Sequence, residues 1–214
     1  MKNLRIWFGL TLVVIAGGVG VFWLARNATS ANQPYQGTEL SGIAPDFRLI
    51  DQNGDFVSLS DFRGKVVVLT FMDSQCKDTC PITGAHFRQA YGQLNQKEAS
   101  QVVFLGVNVN VEASAFADVL ETTHAWHLDE VQSWHFLTGQ REELEPVWND
   151  YAVTVEPVPD GNAIMHTPGV FVIDPLGQKR WYVSTVFSGT GDTELTLPLG
   201  ELLVNHIREI LRDH

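Results

Sequence analysis

The tightest constraint on this chain is the apolar run Val66 to Phe71, followed closely by Cys76, Cys80 and Pro81. A near-continuous apolar run of this length fits a strand buried on both faces, as the central strands of α/β sheets are. Beyond the cysteines, Ile82 to Leu94 carries spaced apolar residues that fit a helix. The only two cysteines of the chain therefore sit on the connection between a core strand and a helix. Functional side chains concentrate on such loops, which a rigid scaffold holds in place.

Three residues separate Cys76 from Cys80. On a regular helix, residues four apart have Cβ atoms roughly 5–6 Å apart, whereas a disulfide needs about 3.8 Å. The pair can close only if the loop departs from a regular helix. Pro81 fits the first helical position and disfavours the α region for the residue before it. That places Cys80 at the N-cap and Cys76 in the loop. Both thiols then lie near the positive end of a helix dipole, which favours thiolate, while Asp78 opposes this locally. Thiolates so placed either form a reversible disulfide or grip one soft metal ion such as Cu(I). Two unrelated cysteines, one of them buried as a small apolar residue, would not call for this placement.

The formal net charge of -11 argues against nucleic acid as a partner. Two cysteines are too few for a disulfide scaffold, and neither a CxxC pair nor a four-ligand zinc pattern occurs. At the N-terminus, Lys2 and Arg5 precede an uncharged run of 19 residues from Ile6 to Leu24. As a helix it spans roughly 28 Å, close to the thickness of a bilayer core. Trp7 and Trp23 sit near its ends, where interfacial aromatics belong. The run is longer than the apolar core of a cleavable signal, and Thr29-Ser30-Ala31 is a weak cleavage site. The expectation is an uncleaved single-pass anchor at the inner (plasma) membrane. The basic residues before it place the N-terminus in the cytoplasm and the domain on the periplasmic, extracytoplasmic side. Residues 1–26 then form the cytoplasmic end and anchor, 27–41 a linker, and 42–214 the domain. Asn27-Ala28-Thr29 matches a glycosylation sequon but lies close to the membrane run.

Within the domain, Asp46 to Asp51 and Phe56 to Leu59 read as strands around an Asn53-Gly54 hairpin turn. Val102 to Val107 reads as a second buried strand, Ala113 to His127 as a helix and Trp134 to Leu137 as a short strand. Glu142 to Tyr151 follows as a helix, and Ile164 to Asp174 leads into a strand centred on Val170 to Ile173. Arg180 to Val186 is its hairpin partner across Pro175-Leu176-Gly177, and Leu197 to Leu211 closes the chain as an amphipathic helix. Strands alternating with helices and ending in a hairpin predict an α/β fold with a mixed central sheet flanked by helices.

The segment LTFMDSQCKDTCP, Leu69 to Pro81, resembles the metal-binding segment of the Sco (SenC) family, whose motif is CxxxCP with an Asp two residues before the second Cys. Asp78 fills that place. The resemblance runs from about Gly42 to Leu211, with APDF, DFRGK, EELEPVWNDYAV and a late His before a strand ending Ile-Asp-Pro in family order. It implies a thioredoxin-like fold and a membrane anchor. It also implies copper binding, as Cu(I) with Cu(II) open, and delivery to the dinuclear copper centre of cytochrome c oxidase, with a linked thiol-disulfide role. The partner is then the oxidase subunit that carries that centre, or another copper or thiol protein.

A two-thiolate copper site needs a further ligand, and imidazole is the expected complement. By its spacing to Ile173-Asp174-Pro175, His166 matches the family's histidine; its place on a loop favours function. The metal ligands implied are Cys76, Cys80 and His166. Two departures stand out. Met165 replaces the Asp that commonly precedes this His, so an orienting carboxylate is missing there. Pro168 stands where thioredoxin-like oxidoreductases carry a cis-proline, so a cis Thr167-Pro168 bond is expected. Met72 and Met165 are candidate auxiliary thioether ligands, although methionine is more often a packing residue. His124 and His127 could share a metal by their spacing but read as surface, His86 as pointing off its helix, and His135, His206 and His214 carry no motif.

Two functions follow. One is a membrane-anchored copper chaperone using Cys76, Cys80 and His166. The other is a thiol-disulfide oxidoreductase or redox sensor, with Cys76 attacking, Cys80 resolving and Pro168 shaping the partner groove. The Cys-Cys-His trio favours the first. A peroxidase reading is poor, because Asp73 holds the place of the Thr in a Thr-x-x-Cys setting.

Overall fold

Why the two long apolar runs lie side by side is plain in the computed structural model, which describes residues 37–157, 164–185 and 197–214. These belong to one structural unit, Gln36–His214. The strands are β1 (Thr38–Glu39), β2 (Arg48–Ile50), β3 (Phe56–Ser58), β4 (Val66–Met72), β5 (Val102–Asn108), β6 (Trp134–Leu137), β7 (Val155–Pro157), β8 (Ile164–His166), β9 (Val170–Ile173) and β10 (Lys179–Val183). The helices are α1 (Thr79–Gln93), α2 (Gln96–Ala99), α3 (Phe116–Ala125), α4 (Arg141–Asp150) and α5 (Leu199–Asp213). The main sheet has the order β1-β10-β9-β4-β5-β6. β4, β5 and β6 run parallel, while β9 is antiparallel to β4 and β10 to β9. The expected mixed sheet is therefore present.

Every residue of β4 and β5 is buried, because both faces of the sheet are covered. Val66, Val68 and Met72 face α1 and α5, packing with Phe87, Leu203 and Ile207. Val67, Leu69 and Phe71 face the other way, toward Leu144 and Trp148 of α4 and Leu49 and Val57 of the β2–β3 hairpin. Alternation along one strand thus feeds two cores. Burying one such Val, Leu or Phe side chain stabilises the fold by roughly 1.5–3 kcal/mol. Gly106 of β5 is required by close packing, since a Cβ there would lie 2.7 Å from the Trp134 ring. The hairpin turn is as expected, with Gly54 at φ +85. Asp51 braces it by accepting from the Asn53 and Asp55 amides and pairing with His135 at 3.0 Å.

Several expectations are corrected. The helix after the cysteines starts at Thr79, so Asp78 is the N-cap and Cys80 lies inside the first turn. Pro81 is tolerated there because the first-turn N–H groups have no intrahelical partner to lose. His166 is not on a loop but ends β8, which pairs with β7 in a separate two-stranded sheet. The Thr167-Pro168 bond is trans rather than cis. Thr167 is held by Thr154, whose carbonyl accepts from the Thr167 N–H and whose N–H donates to the Thr167 hydroxyl. Trans is also the lower-energy isomer by about 0.5–1 kcal/mol. The sheet begins at β1, within the stretch read as linker, where Thr38 and Glu39 pair with Tyr182 and Trp181. The expected anchor Ile6 to Leu24 and the sequon lie outside the described residues. Among those described, no helix is long and apolar enough to cross a membrane.

Candidate metal centre

The pairing of β4 with β9 builds the site. Thr70 lies opposite Val170, and the Thr70 hydroxyl donates to the Gly169 carbonyl at 2.9 Å. The exit of β4 toward the cysteines is therefore fixed beside the segment that carries His166. Across 86 positions of sequence, Cys80 Sγ and His166 Nε2 come to 3.9 Å. Two donors held by one ion at zinc-like bond lengths and splayed by about 120° would be about 3.7 Å apart. The spacing therefore suits two ligands of one metal.

Cys80 is buried, Cys76 is half-buried, and both are free thiols. The Cys80 thiol, main-chain N–H groups at the start of α1 and the Thr79 side chain all favour the Cys76 thiolate over the thiol. The Cys80 hydrogen bond, ahead of the main-chain donors, lowers the Cys76 pKa to about 5. The same hydrogen bond, and then burial, push the Cys80 thiol far up. The pair is tightly coupled, so one proton is shared between two sulfurs with Cys76 as the thiolate. Cys76 is the half-buried member, reachable from solvent. Cys80 packs beside Met72 in the α1-side core.

His166 Nδ1 lies 3.1 Å from the Thr167 carbonyl. With the proton on Nδ1 donated there, the Nε2 lone pair points at Cys80. A backbone carbonyl thus orients the imidazole where Met165 has replaced the carboxylate. As placed, the donors are not all gathered: among the described residues no group of three His, Cys, Asp or Glu side chains is close enough to hold an ion together. The donor set, two cysteine sulfurs and an imidazole nitrogen, fits a soft ion.

The other candidates separate. Met165 is 62% exposed and shares a face of its hairpin with Glu156, while His166 shares the opposite face with Val155. Strand alternation turns the Met165 thioether away from Cys80. His124 pairs with Asp129 at 3.4 Å and His127 takes a left-handed turn, so they form no site together. His206 stacks on Trp181, and His214 lies 3.9 Å from Asp174. The sequence did not single out Thr79, whose side chain helps lower the Cys76 pKa, nor the Asp73–Asn110 pair behind the loop. The one signal for the latter was a run of polar residues, Asn108 and Asn110, ending an apolar strand.

The SCO1/SenC family model matches residues 36–192. The chain belongs to the SCO1/SenC family. It is 27% identical over 195 residues to the mitochondrial SCO2 homolog of Bos taurus, covering 86% of this chain and 72% of that one. The solution structure of apo Sco1 from Thermus thermophilus aligns at TM-score 0.64 and 26% identity, over 82% of this chain and 96% of the other. Copper-bound yeast Sco1 aligns at TM-score 0.64 and 20% identity, over 81% and 90% respectively. The mixed sheet flanked by helices is thus the thioredoxin-like Sco fold.

Alkylation of the reduced protein by iodoacetamide should modify Cys76 alone, with a pH midpoint near 5 because thiolate forms above the pKa. Cys80→Ala removes the S–H donor and should move the midpoint up toward the ordinary thiol value of about 8.5. An unmoved midpoint in Cys80→Ala would contradict the hydrogen bond as the cause.

Proposed function

We propose that the chain is a membrane-anchored copper chaperone that carries copper, chiefly as Cu(I) with Cu(II) as a second form, between Cys76, Cys80 and His166. The observation that carries this reading is the 3.9 Å approach of Cys80 Sγ to His166 Nε2 beside a Cys76 thiolate. Two soft sulfurs and one imidazole suit Cu(I), and the half-buried Cys76 is the side on which a partner's ligand could take over. Copper is cargo here, and the protein's own part is to present these donors with His166 already oriented. The copper-bound yeast Sco1 has the same fold, which supports this assignment.

The recipient proposed is the dinuclear copper centre of cytochrome c oxidase. A Sco protein of the same fold is described as one of the cytochrome c oxidase assembly proteins. The trans Thr167-Pro168 bond gives no support to the oxidoreductase alternative. Residues 1–26 serve as the cytoplasmic end and anchor, and the linker from residue 27 ends where β1 joins the sheet at Thr38, with the domain facing the periplasmic side of the inner membrane. The apolar run from Ile6 to Leu24 supports this arrangement.

In competition with a chromogenic Cu(I) chelator, the reduced protein should bind one Cu(I). Cys76→Ser, Cys80→Ser and His166→Ala should each lose tenfold or more in affinity, which is about 1.4 kcal/mol or more. Unchanged affinity in His166→Ala would show that the site is wrong as drawn. Full-length protein should resist alkaline carbonate extraction from membranes, and deletion of residues 1–26 should release it; extraction of the full-length chain would remove the anchor from the account.

A further inference from the structure

The hairpin that carries His166, β7 with β8, is a sheet of its own, separate from the main sheet among the described residues. The chain passes from His166 to β9 through three residues, Thr167, Pro168 and Gly169. The carbonyl directions in this bridge decide where the imidazole sits, because His166 Nδ1 lies 3.1 Å from the Thr167 carbonyl. The ring of Pro168 locks its φ at roughly −65°, so its remaining freedom is the ψ rotation that turns its own carbonyl. That carbonyl accepts from the Tyr182 hydroxyl at 2.6 Å. The next one, of Gly169, accepts from the Thr70 hydroxyl at 2.9 Å. Two successive carbonyls are thus held by side chains of β10 and β4, the strands on either side of β9.

Tyr182 is itself well fixed. It lies opposite Phe171 in the β9–β10 register, and the two ring centroids are 5.0 Å apart. Its ring also lies against Gly169, where a Cβ would come 2.4 Å from Cε2, Cζ and Oη of the tyrosine. The ring therefore occupies the room that a side chain at 169 would need. Glycine gives the backbone wide freedom, so Gly169 would otherwise be the loosest joint between His166 and β9. We propose that Tyr182 is a positioning residue for the metal centre: its hydroxyl fixes the Pro168 carbonyl, and through it the placing of His166 against Cys80. This rests on the copper reading of the site and adds to it a residue that acts through the backbone of the bridge. Without the hydroxyl, Pro168 can turn and the end of the hairpin can tilt with it. Both sulfurs stay where they are, but the imidazole must then be ordered when the metal binds, which weakens binding.

The test is a double-mutant cycle in the full chain, with Cu(I) affinity read by chelator competition for wild type, Tyr182→Phe, His166→Ala and the double variant. Phenylalanine keeps the ring against Gly169 and removes only the hydroxyl. Tyr182→Phe should weaken Cu(I) binding roughly threefold to tenfold, the range for loss of one hydrogen bond. In the His166→Ala background the same change should cost nothing further, because the residue it positions is gone. Unmoved affinity in Tyr182→Phe overturns the assignment. So does an equal loss in both backgrounds, which is the mark of a general effect on the fold. Crystals of metal-free wild type and Tyr182→Phe give a second readout that needs no copper. The 3.9 Å spacing of Cys80 Sγ and His166 Nε2 should open in the variant, and an unchanged spacing overturns the assignment. If wild type binds no Cu(I), or His166→Ala leaves its affinity unmoved, the copper reading falls, and the crystals alone decide whether Tyr182 positions His166.

Discussion

The antiparallel register of β4 against β9 is the constraint on which the site depends. Thr70 opposite Val170 sets the exit of one strand beside the entry of the other. The cysteine loop leaves from that exit, and His166 arrives a few residues before that entry. Neither strand can slip, because a shift of one residue would turn β4's two buried faces inside out. Burial of β4 on both sides is therefore what holds sulfur and imidazole at ligand spacing, although none of its own residues is a proposed ligand.

On that frame, the helix start supplies the electrostatics. The Cys80 thiol, then main-chain N–H groups at the start of α1 and the Thr79 side chain, pull the Cys76 pKa down. The result is an asymmetric pair: an accessible thiolate and a buried thiol facing an imidazole lone pair. Such a pair holds one proton to lose when a metal ion arrives, with the His166 ring held beside it by the Thr167 carbonyl. The trans Thr167-Pro168 bond, with Thr167 tied to Thr154, keeps His166 on a short hairpin rather than in a redox-type groove.

Much of this was legible in the sequence. The apolar runs that became β4 and β5 were unmistakable because strands buried on both faces need no alternation to be seen. The cysteines and His166 were found from their residue types, their order and their resemblance to the Sco family. What escaped were features too short to carry a period: β1 with two residues, and β7 and β8 with three each. The role of the last of these, placing His166 inward and Met165 outward, follows only from pairing. Pro81 misled because a proline in the first turn reads as the first residue of a helix, while the physics allows it two positions later. The cis expectation failed because local bonds around Thr167, invisible in sequence, satisfy the trans form.

The central claim is that copper is held by two sulfurs from Cys76 and Cys80 and one nitrogen from His166. X-ray absorption at the copper edge of the Cu(I)-loaded protein tests it most directly. The wild type should show two sulfurs and one imidazole nitrogen bound to copper, with the imidazole signal lost in His166→Ala. A sulfur-only shell in the wild type, or an imidazole signal that survives in His166→Ala, would contradict it.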